Sequence, residues 1–303
     1  MTLSRSASRR KTPKSLTSLT AALLLLSTLT ACSSSGGSAD NTGGRTAAPA
    51  PDATSVVRPG ARVNVGVLGD LPGWSELDTG SNKLRGFQAD LMYWLEEELK
   101  IDVTPVQVTF DQRINYMTNH KVDILLANVA MNDERRKSVG FAGPYVYSDQ
   151  EVMTTKSGPK IDKSADLGGK AVCTMRGTTS LQQLNDRLAV KMTIAERDGL
   201  SQCVDDLKKG KVDAVFTAQV DLLGYAQEDK DLRLQKVHVG AQDRFGIATP
   251  KGDKDSCERL TRALKTFIAR GYWDQFFREH FPNESSKSIS AHKPTPDDLV
   301  PCE

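Results

Sequence analysis

The pattern of apolar and polar positions divides the chain into a short apolar run, a polar segment, and a long region of alternating strand and helix signals. At the start of the long region, Val63, Val65 and Val67 alternate with polar or small residues, which is typical of a half-buried strand. Because strand signals then alternate with helix signals, we predict an α/β fold with largely parallel sheets. The first predicted helix places its apolar residues on one face: Phe87, Leu91, Met92, Leu95 and Leu99. The other elements predicted in this half are strands over residues 103–108 and 122–129 and a helix over residues 113–119.

The same rhythm starts again after residue 160. One short pattern occurs in both halves: residues 120–124 (His-Lys-Val-Asp-Ile) and residues 210–214 (Gly-Lys-Val-Asp-Ala) each join a helix end to an apolar strand. Two such units predict two similar lobes. Ligands of parallel sheets bind at the carboxyl ends of the strands and at helix N-termini, so we expect the site in the cleft between the lobes. The elements predicted in the second half are strands over residues 170–174 and 212–216 and helices over residues 179–188 and 201–209.

The N-terminal segment has the composition of an export signal. Its first 31 residues carry five basic side chains and no acid, and residues 16–31 form an apolar run centred on four leucines. The run is too short, and too often interrupted by Ser and Thr, for a membrane span of about 20 apolar residues. It ends in residues 29–32 (Leu-Thr-Ala-Cys), which resemble a bacterial lipobox. That resemblance implies cleavage before Cys32 and a lipid (diacylglycerol, palmitate) on Cys32; an ordinary secretory signal that contains a cysteine is the alternative.

Residues 32–60 contain mainly Ser, Gly, Ala, Thr and Pro, and we predict a flexible tether there. A lipid on Cys32 would hold the body of the protein at the outer face of a membrane. The formal net charge of the chain is +2, and leaving out the five basic residues of the signal makes it −3. A mildly acidic body gives no reason to expect a nucleic-acid partner, because phosphates attract a basic face.

The number of cysteines agrees with an exported protein. Apart from Cys32 the chain has four cysteines, an even number that suits an oxidising compartment. They show no C-x-x-C spacing and no cluster with histidine, which argues against a zinc site. Buried free thiols are the alternative to disulfides. Of the three possible pairings we favour the one that joins neighbours: Cys173 with Cys203, and Cys257 with Cys302.

A series of short motifs follows along the chain in a recognisable order. They are residues 70–73 (Asp-Leu-Pro-Gly), 86–91 (Gly-Phe-Gln-Ala-Asp-Leu), 113–114 (Arg-Ile), 121–123 (Lys-Val-Asp), 133–135 (Asp-Glu-Arg), 141–145 (Phe-Ala-Gly-Pro-Tyr), 177–180 (Gly-Thr-Thr-Ser), 211–215 (Lys-Val-Asp-Ala-Val) and 245–248 (Phe-Gly-Ile-Ala). In the order and spacing of these motifs the chain resembles the extracellular solute-binding proteins of polar amino-acid ABC importers (family 3 type), and among them the glutamate-type lipoproteins of actinobacteria. The resemblance covers residues 61–282 and the C-terminal cysteine.

The resemblance implies a two-lobe, periplasmic-binding-protein-like α/β fold (type II) with the ligand cleft between the lobes. Lobe 1 is expected over residues 61–152 and 248–303, and lobe 2 over residues 153–247. Arg135 is the first ligand-binding residue that the resemblance implies, because the arginine of the family's Glu-Arg pair binds the ligand's α-carboxylate. A guanidinium suits this role, since it stays charged and donates two parallel hydrogen bonds. The alternative is a solvated side chain, because residues 133–137 are mostly charged.

The turn at residues 177–180 is implied to hold the same carboxylate from the other lobe. Backbone N–H groups and hydroxyls at a helix start form an anion site, so Thr178 and Thr179 are the candidates. A plain helix N-cap is the alternative. Arg176, just before the turn, is a candidate partner for an acidic ligand side chain.

The first lobe adds three candidates: Asn128 through its side chain, Ala130 through its backbone, and Trp74 as a pocket wall, with core packing as the alternative for Trp74. One position departs from the family. After the second-lobe strand the family places an aspartate that binds the ligand's α-ammonium, and the matching residue here is Ala218. The alternative partners are Gln219 and Asp221 nearby, or an acid of the first lobe such as Glu76 or Asp78. We therefore expect a smaller preference for an amino acid over its deaminated analogue than the usual pocket of this family has.

We expect a binding protein rather than an enzyme. The sequence has no nucleophile elbow, phosphate loop, HExxH motif or dinucleotide fingerprint, and its four histidines are scattered. The resemblance implies a monomeric lipoprotein on the extracytoplasmic face of the cell membrane. It would need no cofactor or metal, close on a small polar solute with a carboxylate, such as the amino acid glutamate, and deliver it to ABC permease subunits. The alternatives are a sensor or interaction lipoprotein on the same fold and, less close to the family, a dehydratase-like cleft enzyme.

Overall fold

A computed structural model describes residues 55–302, with gaps at residues 79, 82, 187–189, 236 and 238. The predicted signal peptide, Cys32 and the tether up to residue 54 lie outside the described residues, as does the end of the helix predicted over residues 179–188. Within the part of the chain that is described, no helix has the length and apolar character needed to cross a bilayer.

Strands and helices alternate along the described residues, as the hydrophobic pattern predicts. The strands are β1 (Arg62–Val67), β2 (Asp70–Leu71), β3 (Ser75–Asp78), β4 (Lys83–Arg85), β5 (Asp102–Gln107), β6 (Ile124–Ala130), β7 (Val139–Ser148), β8 (Gln150–Thr155), β9 (Ala171–Met175), β10 (Thr193–Arg197), β11 (Ala214–Ala218), β12 (Leu232–Gln235) and β13 (Asp243–Pro250). The helices are α1 (Phe87–Leu99), α2 (Arg113–Thr118), α3 (Asp133–Arg136), α4 (Thr179–Asp186), α5 (Leu200–Lys208), α6 (Gln219–Glu228), α7 (Lys254–Ala269), α8 (Tyr272–His280) and α9 (Ser286–His292).

Two five-stranded sheets share one arrangement. The first has the strand order β5-β1-β6-β13-β7 and the second has the order β10-β9-β11-β8-β12. In each sheet three neighbouring strands are parallel, and the fourth strand is antiparallel to both of its neighbours. That fourth strand, β13 or β8, directly follows the passage of the chain from the other sheet. The chain therefore has the two-lobe α/β fold that the resemblance implies, and the expected lobe boundaries at residues 153 and 248 fall inside these two crossing strands.

The repeated Lys-Val-Asp pattern has the same structural role in both lobes. Asp123 Oδ2 accepts a hydrogen bond from the backbone N–H of Asn64 on β1, at 2.7 Å. Asp213 Oδ2 accepts one from the backbone N–H of Ala171 on β9, at 2.8 Å. Each carboxylate therefore binds the equivalent parallel strand of its own sheet, which explains the repeat without a role in ligand binding.

An aromatic cluster forms the core of the first lobe, between the first sheet and helices α1, α7 and α8. Trp74 is fully buried in this cluster and stacks on Phe87 with ring centroids 4.8 Å apart. Each such ring removes roughly 150–250 Å² of surface from water. The ring of Trp74 thus belongs to the core, and only its indole N–H reaches the cleft side. The cluster consists of Trp74, Phe87, Phe267, Trp273, Phe277 and Phe281.

Both favoured disulfides are present, one in each lobe. Cys173 on β9 is bonded to Cys203 on α5, and Cys257 on α7 is bonded to Cys302 near the C-terminus. The sequence separations are 30 and 45 residues. The loop-entropy relation gives about 4 kcal/mol of stabilisation for a loop of either length.

Candidate functional site

Arg135 joins the two lobes at the edge of the cleft. The short helix α3 is capped by Asn132, whose Oδ1 accepts from the backbone N–H of Arg135 at 2.9 Å. The Arg135 guanidinium donates to the carbonyl of Ala130 at 3.3 Å and, across the cleft, to the carbonyl of Gly177 at 3.0 Å. Burial lowers the pKa of Arg135 to about 10, and the nearby carboxylate of Asp243 opposes that shift. Arg135 is therefore held at the cleft, unlike a solvated member of a charged run.

The residues of the turn at 177–180 have different roles. Thr178 caps α4: its hydroxyl donates to the Met175 carbonyl at 2.7 Å and accepts from the backbone N–H of Leu181 at 3.2 Å. Thr179 faces the cleft, where its hydroxyl donates to Asp243 Oδ2 at 2.7 Å. Gly177 has a φ of 71°, and a Cβ there would lie 2.5 Å from the Cα of Asp111, so only glycine allows this approach of the two lobes.

A second buried arginine, Arg113 on α2, lies beside Arg135. Its side chain donates to the carbonyls of Ala127, Asn128 and Gly177 at 2.6, 2.9 and 3.4 Å. Burial lowers the pKa of Arg113 well below its ordinary value, and the positive charge of Arg135 lowers it further. Two guanidinium groups of the first lobe thus converge on the Gly177 carbonyl of the second lobe.

Asn128 lies at the centre of a buried hydrogen-bond network between the lobes. Its Oδ1 accepts from Trp74 Nε1, Gln88 Nε2 and the Tyr145 hydroxyl at 2.9, 2.7 and 2.9 Å. Its Nδ2 donates to Asp221 Oδ1 of the second lobe at 2.5 Å. Asn128 takes a φ of 50° inside β6, a conformation that asparagine tolerates better than most residues and that turns its side chain out of the strand's regular alternation.

A polar cavity of about 420 Å³ opens between the lobes; Arg135 does not line it, but donates to the carbonyl of Ala130, which does. Ala130 and Asn132 line it from the first lobe, Thr179 and Gln183 from α4, and Asp243 from the start of β13. The Oε1 atom of Gln183 is buried and finds no hydrogen-bond partner among the residues that the structure describes. The cavity has the size of a small solute and offers hydroxyl, amide and carboxylate groups, which suits a polar organic ligand.

The structure brings some predicted residues to this site and leaves others away from it. Thr179 and Ala130 line the cavity, and Arg135 is bonded to the carbonyls of Ala130 and Gly177, whereas Asn128 and the indole N–H of Trp74 belong to the buried network. Arg176 is turned to β10, where it pairs with Glu196 and Asp198.

Sequence reasoning gave no role to two groups of the site, Arg113 and Asp243. The motif at residues 113–114 was a signal for Arg113, but it indicated only family membership. No motif marked Asp243. A metal does not fit the described residues, among which no group of three or more His, Cys, Asp or Glu side chains could hold one.

Comparison with known proteins agrees with this geometry. The model of the family described as bacterial extracellular solute-binding proteins, family 3, matches residues 63–283. The chain is 28% identical over 250 residues to the glutamate-binding protein GluB of Corynebacterium glutamicum, covering 78% of this chain and 83% of the relative. It is 26% identical over 232 residues to the ABC transporter glutamine-binding protein GlnH of Bacillus subtilis, covering 75% and 84%.

Solved structures share the fold. An ancestral arginine-binding protein bound to glutamine is similar with a TM-score of 0.67 and 28% sequence identity, over 73% of this chain and 97% of the other. An amino acid ABC transporter substrate-binding protein from Streptococcus pneumoniae, bound to L-arginine, has a TM-score of 0.68 at 21% identity, over 73% and 94%.

Proposed function

Because the chain belongs to the bacterial extracellular solute-binding proteins of family 3, we propose that it is the substrate-binding lipoprotein of an ABC importer and that its two lobes close on an amino acid. The observation that carries the proposal is the position of Arg135. Its guanidinium reaches from the first lobe to the second-lobe turn, next to a polar cavity between the lobes. In this role the protein works as a monomer that hands its ligand to the permease subunits.

The ligand's α-carboxylate binds Arg135, with the Thr179 hydroxyl and the guanidinium of Arg113 close by. Glutamate is the first candidate because the GluB relatives carry that name, and glutamine, arginine and histidine follow from the names of other relatives. Thr178, Asn128 and Trp74 support the site without touching the ligand in this arrangement, since their polar atoms are already paired within the protein.

The test is calorimetry on purified protein with L-glutamate, L-glutamine, L-arginine and L-histidine. At least one of these should bind, and Arg135→Ala should weaken that binding by about 2–5 kcal/mol, the scale for truncating one partner of a buried charge pair. Arg135→Lys should recover only part of the loss, because a single ammonium cannot make two parallel hydrogen bonds.

The matched control is Arg136→Ala. Arg136 is the next residue along the chain, and its guanidinium lies over the Phe141 ring, 5.5 Å from the centroid, whereas that of Arg135 reaches the Gly177 carbonyl of the second lobe. Arg136→Ala should bind like the wild type. No binding of any of the four amino acids by the wild type would contradict the proposal, and equal affinities of wild type and Arg135→Ala would remove Arg135 from the site.

The geometry favours binding over catalysis. Burial raises the pKa of Asp221 to about 7, and a shifted carboxylate in a cleft is one mark of an enzyme. However, both of its oxygens accept hydrogen bonds, from Asn128 and Thr217, and its side chain does not line the cavity. The shift therefore has its cause in the closed contact of the lobes, and the family consists of solute-binding proteins.

The proposal includes a lipid anchor at Cys32, supported by the lipobox-like residues 29–32. Cys32→Ala should abolish labelling by palmitate and move the protein from the membrane fraction to the medium or periplasm, because a body without the acyl chains loses its membrane affinity. A variant that stays in the membrane fraction with wild-type lipid labelling would contradict the anchor.

A further inference from the structure

The position where relatives are expected to bind the ligand's ammonium carries no charge in this chain. Ala218 ends β11 and is 2% exposed. A methyl group cannot compensate a buried ammonium, and burying that charge without a partner is costly. If the ligand is an amino acid, another carboxylate in the cleft has to take this role.

Asp221, three residues later, is a poor substitute. Its Oδ1 accepts from Asn128 Nδ2 and its Oδ2 accepts from the Thr217 hydroxyl at 3.1 Å. The side chain is fully enclosed by these contacts, with the residue 2% exposed. A ligand could reach Asp221 only by breaking the network that joins the lobes.

Asp243 has the geometry that Asp221 lacks. It lines the cavity, and its two hydrogen bonds, from Gln150 Nε2 and the Thr179 hydroxyl, both end on Oδ2 at 2.7 Å. Its Oδ1 accepts no hydrogen bond from the residues described. Gln150 is itself fixed, because its Oε1 accepts from the Ser180 hydroxyl at 2.6 Å. The carboxylate is therefore held in place with one oxygen left for a ligand.

We propose that Asp243 binds the ammonium group of the ligand and so replaces the carboxylate that is missing at Ala218. The inference rests on the proposed function. An α-amino acid carries its ammonium and its carboxylate on one carbon, so their partners have to be neighbours. Asp243 meets this condition, because its Oδ2 accepts from Thr179 and its carboxylate lies close enough to Arg135 for that positive charge to lower its pKa.

Binding then leaves the existing hydrogen bonds of Asp243 in place. In the structure the single hydroxyl proton of Thr179 is used on Asp243 Oδ2. A ligand ammonium donates to the other oxygen, Oδ1, and the ligand's carboxylate takes its hydrogen bonds from the Arg135 guanidinium. Burial raises the pKa of Asp243, and the hydrogen bonds from Thr179 and Gln150 and the positive charges of Arg135 and Arg113 oppose this shift.

The experiment compares an amino acid with its deamino analogue. The probe is whichever of glutamate, glutamine, arginine and histidine binds the wild type best, matched with glutarate, glutaramate, 5-guanidinopentanoate or imidazolepropionate. The wild type should bind the amino acid at least tenfold more tightly. Asp243→Asn keeps the size of the side chain. We expect it to lower the affinity for the amino acid tenfold or more and the affinity for the analogue less than threefold.

Asp198→Asn is the control. Asp198 is a carboxylate of the second lobe that pairs with Arg176 and does not line the cavity. The affinity ratio of this variant for the two probes should equal that of the wild type. Adding Ala218→Asp to Asp243→Asn should restore part of the preference for the amine, because it returns a carboxylate to the family's usual position.

Three results would overturn the inference while leaving the proposed function intact. The first is a wild type that binds the amino acid and its analogue equally well, and the second is an Asp243→Asn variant that loses affinity for both probes equally. The third is an Asp243→Asn variant whose only change is tighter binding of the analogue. The last result would mean that Asp243 competes with the ligand's carboxylate for Thr179. A wild type that binds none of the four amino acids would instead contradict the proposed function itself.

Discussion

The two lobes meet in two regions that use polar groups in opposite ways. In the first, which we call the packed region, Asp70, Pro72 and Asn128 of the first lobe contact helices α5 and α6 of the second. Asp70 Oδ2 accepts from the backbone N–H and hydroxyl of Ser201 at 3.2 and 3.3 Å, and the Asp70 carbonyl accepts from the Tyr225 hydroxyl at 2.6 Å. These groups satisfy one another and leave no room for a solute.

In the second, which we call the open region, Thr179 and Asp243 line the cavity, Arg135 bonds to the adjoining turn at Gly177, and these groups retain capacity for further hydrogen bonds. The difference indicates a division of labour. The packed region determines how closely the lobes approach, and the open region determines which solute is held between them. Changes in the packed region should therefore alter closure for every ligand, whereas changes in the open region should alter the choice among ligands.

The largest effect is expected from Gly224→Ala in the packed region. A Cβ at Gly224 on α6 would lie 1.7 Å from the carbonyl oxygen of Pro72, a backbone atom that cannot turn aside. The lobes would have to stay apart, so we expect affinity for all amino acids to fall on the order of 100-fold or more, since only the closed form completes the site. Calorimetry measures the loss, and small-angle scattering should show no decrease in radius of gyration when ligand is added.

Thermal unfolding separates this effect from misfolding. Alanine is favoured over glycine inside a helix by up to about 1 kcal/mol, so an open Gly224→Ala protein should unfold at the wild-type temperature or above. Wild-type affinity together with wild-type closure would show that the packed region does not control the approach of the lobes.

The elements, and to a lesser degree the site, could be predicted from the sequence. The strand at Val63, Val65 and Val67 and the helix from Phe87 to Leu99 follow from local periodicity, because one buried face repeats every two residues in a strand and every three to four in a helix. The pairing of the four cysteines followed from their number and nearness in the sequence. Family motifs then pointed to Arg135.

What the sequence did not reveal are contacts between groups far apart in the chain. Asp243 reaches the site only because β13 returns to the first sheet and pairs with β7, 93 residues after Gln150. The helical pattern around Gly224 does not reveal that a backbone carbonyl of the other lobe occupies the space where a side chain would lie. Asn128 lies in a run of seven buried residues, where periodicity predicts only an apolar strand.

A smaller effect is expected from pH, through Asp221 in the packed region. The groups that act on Asp221 are Asn128 and Thr217, which donate to it, the positive charge of Arg113, which lowers its pKa, and the negative charge of Asp70, which raises it. Burial outweighs the others and raises the pKa of Asp221 from 3.8 to about 7 in the closed form. A carboxyl whose pKa is raised by closure stabilises the closed form while it is protonated. This contribution is complete below pH 3.8 and is lost as the pH rises through about 7.

Closure of the unliganded protein should therefore weaken on the order of tenfold between pH 5.5 and pH 8, a smaller change than Gly224→Ala causes. Scattering or a pair of fluorophores on the two lobes measures the closed fraction at each pH. Asp221→Asn is the matched control, because the amide has the same shape, can still accept from Asn128, and does not titrate. If the pH dependence is the same in Asp221→Asn, other groups cause it; if it disappears, the buried Asp221–Asn128 contact is the pH-sensitive part of the packed region. Selectivity between glutamate and glutamine, whose side chains do not titrate over this range, should stay constant in either protein, since that property resides in the open region.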